Sequence, residues 1–104
     1  MVLRLGCHPG GRPLIRLDRK KHEQTPKGLV DFSANGKIYI GNFVKIALNV
    51  AAFPDEDRNV LPDLLRYWFG PEAGHPGTKH HVVLTQNENG WALRPLEEPR
   101  AQTA

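Results

Sequence analysis

Asn59-Val-Leu-Pro-Asp-Leu-Leu-Arg-Tyr-Trp-Phe-Gly70 is the stretch of this sequence with the clearest helical pattern and the densest set of large apolar side chains. Its apolar residues recur at the i, i+3, i+4 and i+7 spacing of one helix face, and they are Leu61, Leu64, Leu65 and Trp68. Pro62 suits a first helical turn, and Gly70 followed by Pro71 is a stop signal. We therefore predict a helix over residues 62–69, whose apolar face the rest of the chain must cover.

Two hairpins are the other clear signals in the sequence. In the first, residues 29–40, Asn35-Gly36 stands between two β-prone runs, and this dipeptide favours a two-residue turn with positive φ at both positions. The second comprises a strand around residues 82–84, a turn at residues 87–90 and a strand at residues 91–94. A further short strand is predicted at residues 14–17, after a loop over residues 6–13 that is rich in glycine and proline.

The segment over residues 42–53 has two interpretations. Asn42 could cap a helix over residues 42–50, in which Phe43, Ile46, Ala47 and Val50 share one face. Alternatively, the apolar residues at positions 44, 46, 48 and 50 alternate with less apolar ones, as in a half-buried strand. We favour the helix, because a Gly-Asn boundary precedes it and alanine suits it.

These elements predict an α+β fold. It consists of a small, mainly antiparallel sheet or open barrel of about five strands, covered by one or two short helices. A small all-β barrel is the alternative if the segment after Asn42 is extended. With 104 residues, we expect a single globular domain over residues 1–96. Residues 97–104 contain no apolar residue larger than alanine and are expected to be disordered.

Charge is distributed unevenly along the chain. Residues 1–52 contain nine lysines and arginines against three acids, a net charge of +6, whereas residues 53–104 contain five against eight, a net charge of −3. Such an asymmetry is typical of a surface that binds phosphates, although both halves could also pack together as an ordinary charged surface.

The basic residues of the first half are the predicted nucleic-acid-binding residues. They fall in the 14–17 strand and the loops around it, at the tip of the first hairpin and just beyond it: Arg12, Arg16, Arg19, Lys20, Lys21, Lys27, Lys37 and Lys45. We expect them to follow a phosphate backbone along one edge of the fold. Single-strand binders use exposed aromatic rings between their basic residues, and here only Tyr39 is expected to face outward. Duplex DNA is therefore the favoured partner.

The alternative function is a protein-interaction or homo-oligomerisation module. Arg66, Tyr67 and Trp68 lie near the end of the predicted helix, where three consecutive aromatic rings cannot all face one core. Binding to phosphates weakens steeply with salt, whereas binding through an aromatic interface does not.

Other functions find little basis in the sequence. Cys7 is the one cysteine, and the five histidines do not have the spacing of zinc ligands, so we predict no metal site and no cofactor. No arrangement of nucleophile and base points to catalysis. No apolar run is long enough to span a membrane, the opening residues are too short for a secretory signal, and we expect a cytoplasmic protein.

Overall fold

The computed structural model describes residues 1–18, 20 and 23–96, and within them the chain forms seven strands and one helix. The strands are β1 (Val2–Cys7), β2 (Pro13–Arg16), β3 (Gly28–Ala34), β4 (Lys37–Phe43), β5 (Ala47–Ala52), β6 (His81–Asn87) and β7 (Gly90–Pro95), and the helix is α1 (Leu61–Phe69). The predicted disordered tail, residues 97–104, lies outside the described residues. No helix in the described ranges is long and apolar enough to cross a membrane.

The strands form a closed barrel in the order β1-β2-β5-β4-β3-β7-β6. All neighbouring strands are antiparallel except β3 and β7, which are parallel. The barrel closes because β1 pairs with β2 on one side, with Leu5 opposite Ile15, and with β6 on the other, with Leu3 opposite Val82. These four side chains are buried in the core, so the alternation of the strand turns Arg4 outward.

The α+β class with a barrel is confirmed in its broad form, but the predicted strand number and open sheet were wrong. The part of the chain that the structure describes contains seven strands in a mostly β fold, and the barrel is closed. No strand was predicted before residue 14 and a loop was predicted from residue 6, whereas β1 extends to Cys7 and β2 begins at Pro13. A proline is compatible with a strand at its first residue, and Pro13 takes that position.

The helix predicted over residues 42–50 was also wrong. The segment continues β4 to Phe43, turns through a hydrogen bond from the Val44 N–H to the Ala47 carbonyl, and returns as β5. Leu48 lies opposite Phe43 while Val50 lies opposite Asn42, so Asn49 is an extra residue in β5 and forms a β-bulge. Leu48 and Ala51 are buried, whereas Ile46 and Val50, which the predicted helix would have placed on its shared face, are exposed.

The helix at residues 62–69 and both hairpins are present in the structure. Helix α1 runs from Leu61 to Phe69, and its whole predicted apolar face is buried in the same cluster as the barrel interior. Asn35 and Gly36 have φ of 53° and 77°, as a turn with two positive φ values requires. In the second hairpin, Asn87 lies opposite Gly90.

Asn59 joins the bulged strand to the helix. Its side-chain oxygen accepts hydrogen bonds from the N–H of Ala51 at 3.0 Å and the N–H of Leu61 at 3.2 Å, and its amide nitrogen donates to the carbonyl of Asn49 at 3.2 Å. The same side chain thus satisfies a backbone group at the bulge and one at the start of α1. The apolar face of α1 is held against β2 and β5 in this way.

Replacing Trp68 with alanine should lower the free energy of unfolding by about 3–5 kcal/mol, because the indole is only 4% exposed within the core. Tyr67→Ala is the matched control on the same helix. Its ring is 53% exposed, and we expect a loss below about 1 kcal/mol. Urea unfolding of both variants measures the difference, and equal losses would contradict the packing described for α1.

Candidate nucleic-acid interface

The strands that close the barrel create a row of basic side chains on its outer surface. Arg4 on β1 lies opposite His81 on β6. On its other side, β1 pairs with β2, and Leu5 lies opposite Ile15. In this antiparallel register the next position along places Arg4 opposite Arg16. Side chains of directly opposed residues have Cβ atoms only about 4.5–5.5 Å apart. The outer surface therefore carries Arg16, Arg4 and His81 side by side on three neighbouring strands.

This row lies in a surface groove of about 800 Å³, called the basic groove from here on. Its lining residues are Val2, Leu3, Arg4, Arg16, Leu17, Asp18, Lys20, Lys45, Ile46 and His81. Lysines and arginines from β1, from the end of β2 and from the β4–β5 turn thus converge on one surface, with apolar side chains between them. Ile46 is 72% exposed and Val2 is 45% exposed, so the groove also presents apolar surface to solvent.

The charge of the groove is strongly unbalanced. Asp18 is the one carboxylate among its lining residues, and its side-chain oxygen accepts a hydrogen bond from the backbone N–H of Lys20 at 3.1 Å. Within the described residues, neither Arg4 nor Arg16 forms an ion pair, and the ion pair that is present joins Arg58 to Asp63 at 2.9 Å. Like charges opposite each other across two strands repel, and the groove lining carries a positive net charge.

The surroundings of the Arg4 and Arg16 guanidinium groups are neutral. The Arg4 Nη2 donates to the backbone carbonyl of Thr78 at 3.2 Å. The Arg16 guanidinium lies against Gly6, in space that a Cβ at that position would occupy. Arg4 is thus hydrogen-bonded without being neutralised, and the glycine at position 6 leaves room for Arg16.

His81 adds an imidazole ring to the same row. Its Nδ1 lies 3.1 Å from the carbonyl oxygen of Lys79, and because a carbonyl can only accept, Nδ1 carries the hydrogen of this bond.

His80 points away from this surface and belongs to a different environment. Its ring stacks on Phe69 with centroids 4.7 Å apart and an interplanar angle of 14°. Burial lowers the pKa of His80, the neighbouring His81 lowers it further, and Glu72 partly opposes the shift. Its Nδ1 is buried without a hydrogen-bond partner in the described part of the chain.

The structure brings together three of the eight predicted nucleic-acid-binding residues, Arg16, Lys20 and Lys45. Lys27 precedes β3, whose first residue lies opposite Phe43, so it is at the same end of the barrel as Lys45 but outside the groove lining. Arg19 and Lys21 lie outside the described residues.

Arg12 and Lys37 are placed apart from the groove. Arg12 lies in the β1–β2 loop, where its carbonyl accepts from the N–H of His8. Lys37 begins β4 and its amine lies 5.5 Å from the centroid of the Phe53 ring. It is six residues from Phe43, or roughly 20 Å along the strand.

Sequence reasoning missed Arg4 and His81 as members of the site. Arg4 belongs to β1, and its alternation with the buried Leu3 and Leu5 is the signal that could have identified an outward strand position. Tyr39 was expected to face outward, but it is 4% exposed and stacks on Phe32 with ring centroids 5.3 Å apart. Burial accordingly raises the pKa of Tyr39.

The residues predicted as a protein interface are divided between surface and core. Arg66 and Tyr67 are exposed, whereas Trp68 is buried. A separate apolar surface lies on the outer face of β3, β4 and β5, where Leu29 and Val50 flank Asn42 on neighbouring strands and Ile38 lies further along β4. Leu29 is 76% exposed and Ile38 is 51% exposed.

Across the described residues, no group of three or more histidine, cysteine or acidic side chains comes together as a metal site would require. The prediction of no metal and no cofactor stays a prediction. No known protein family matches this chain, and comparisons with curated proteins and with solved structures give no significant match.

The low pKa of His80 predicts a particular pH dependence of stability. Because the folded-state pKa lies below the ordinary value of 6.5, the unfolded chain binds more protons in that range, and acidification should destabilise the fold. His80→Phe keeps a ring beside Phe69 but cannot be protonated. Urea unfolding between about pH 8 and pH 5 should show a smaller loss of stability for this variant than for the parent chain. An equal or larger loss in the variant would contradict this account of His80.

Proposed function

We propose that this protein binds nucleic acid, with duplex DNA as the favoured partner, through the basic groove. The observation that carries the proposal is the convergence of Arg4, Arg16, Lys20 and Lys45 on one surface whose lining contains a single carboxylate. Phosphate groups are the anions that such a spaced set of cations suits, because each phosphate accepts hydrogen bonds from guanidinium and ammonium groups. The proposal includes the cytoplasmic location expected from the sequence.

The composition of the groove favours a duplex over an extended single strand. Apart from the imidazole of His81, its lining residues carry no ring on which bases could stack. The molecule measures 34 × 29 × 25 Å, and a groove on one side of it can follow a phosphate backbone for a few nucleotides. A small set of phosphate contacts of this kind gives positioning and affinity without reading the base sequence.

Protein interaction through the end of α1 is the weaker candidate. Trp68 is buried, and Arg66 and Tyr67 alone offer a smaller surface than the three residues together. Interface anchors are typically large side chains that become fully buried on binding, and Trp68 is already buried in the monomer.

The proposal is tested with two double variants that remove the same charge from different places. Arg16→Gln with Lys45→Gln removes two cations of the basic groove, and Arg12→Gln with Lys37→Gln removes two cations that lie outside it. All four residues are equivalent in the sequence argument, so only their position in the fold separates them. Fluorescence anisotropy with a labelled duplex, repeated at several salt concentrations, measures affinity and its salt dependence.

The groove variant should bind at least tenfold more weakly, and the slope of log affinity against log salt should fall by about two, one for each lost phosphate contact. The control variant should bind within about twofold of the parent chain. Equal losses in the two variants would show that net charge alone drives binding. A parent chain that binds no duplex at low salt would overturn the proposal.

A further inference from the structure

A second cavity adjoins the basic groove and shares two of its residues. It has a volume of about 510 Å³ and is called the side pocket from here on. Its lining residues are Arg4, Leu5, Gly6, Cys7, Arg16, Gly74, His75, Pro76 and Thr78. Arg4 and Arg16 line both cavities, so these two side chains lie where the groove and the side pocket meet.

The walls of the side pocket are fixed by short contacts. Gly74 has a φ of +74°, and its Cα approaches the carbonyl of Gly6 so closely that a Cβ would collide with it. The His75 Nε2 donates to the carbonyl of Gly11 at 3.1 Å. The Thr78 hydroxyl donates to the carbonyl of His75 at 2.6 Å. The His75 hydrogen bond and the close approach of Gly74 to Gly6 place the loop before β6 against the hairpin of β1 and β2, and the Thr78 hydrogen bond lies within that loop.

Charge and polarity differ between the entrance and the interior of the side pocket. The two arginines are at the side shared with the groove, and none of the lining residues is acidic. The rest of the lining offers a thiol, a hydroxyl, an imidazole, a proline ring and Leu5. This arrangement suits a ligand with an anionic group at one end and a flat, uncharged, hydrogen-bonding group at the other. A nucleotide has that distribution, with its phosphate at one end and its base at the other.

We infer that the side pocket receives a single nucleotide turned out of the bound strand, with its phosphate between Arg4 and Arg16 and its base beside His75 and Pro76. This inference rests on the proposed binding of DNA in the basic groove and adds a preference for one kind of site. Turning out a nucleotide costs least where that nucleotide is unpaired or mismatched. The protein therefore binds a duplex containing an unpaired nucleotide more tightly than a fully paired duplex.

The first measurement compares a paired duplex with the same duplex carrying one bulged 2-aminopurine nucleotide. We expect at least fivefold tighter binding of the bulged duplex and a change in 2-aminopurine fluorescence as the base leaves its neighbours. Equal affinities with unchanged fluorescence would overturn the inference and leave the proposed function intact. A chain that binds neither duplex fails the proposed function itself.

The second measurement uses Cys7, the one cysteine of the chain, as a probe inside the side pocket. Alkylation with N-ethylmaleimide forms a bond between its Sγ and a maleimide carbon, with the thiol proton transferred to the neighbouring carbon, and so fills the pocket with a neutral group. The alkylated protein should bind the paired duplex as before and lose its preference for the bulged one. Cys7→Ala is the control for the reagent, and its affinities for the two duplexes should be the same before and after treatment.

The rate at which Cys7 is alkylated in the presence of DNA is a third measurement, and it does not require the alkylated protein to bind DNA. The bulged duplex should slow alkylation at least threefold more than the paired duplex does at equal saturation. Equal protection by the two duplexes would contradict the inference. The inference would also be contradicted if free deoxyadenosine monophosphate slowed the alkylation of Cys7 and the bulged duplex did not. The pocket would then bind a free nucleotide.

Discussion

Pairing of β1 with both β2 and β6 is the constraint on which this structure depends. It closes the barrel, so the described sheet has no open edge, and it places Leu3 and Leu5 in the core beside Ile15 and Val82. The same pairing fixes Arg4 on the outside between Arg16 and His81. Because inner and outer positions alternate along β1, the residues that stabilise the barrel also set the spacing of the basic groove.

The proposed function is assigned to the basic groove because of its electrostatics. Adjacent guanidinium groups on neighbouring strands repel, and neither Arg4 nor Arg16 has a carboxylate partner in the described residues. Thr78 accepts a hydrogen bond from Arg4, and Gly6 leaves room for Arg16. Neither contact neutralises a guanidinium group, and this is the charge that the proposed function assigns to phosphate binding.

The sequence was sufficient to predict those elements that depend on residues close together in the chain. The apolar face of α1 and the Asn35-Gly36 turn depend on residues a few positions apart, and both are present as predicted. The helix over residues 42–50 was favoured on local features, Asn42 and the alanines, whereas the segment forms β5 by pairing with β4 and with the distant β2. Asn59, ten residues later, bonds to the bulged Asn49. The composition of the groove was only partly predictable, since Arg4 meets His81 through a pairing between distant parts of the chain. Lys37 and Lys45 were both predicted to bind nucleic acid from their charge alone, although they lie at opposite ends of β4.

The central claim, that the basic groove is the surface that binds duplex DNA, is tested most directly by a ¹H–¹⁵N nuclear magnetic resonance titration with a short duplex. We expect the amide shifts to concentrate at residues 2–4, 16–18, 20, 45, 46 and 81, and to shrink as salt is added. Shifts that concentrate instead on the outer face around Leu29, Ile38 and Val50, or at the hairpin tip around Lys37, would contradict it.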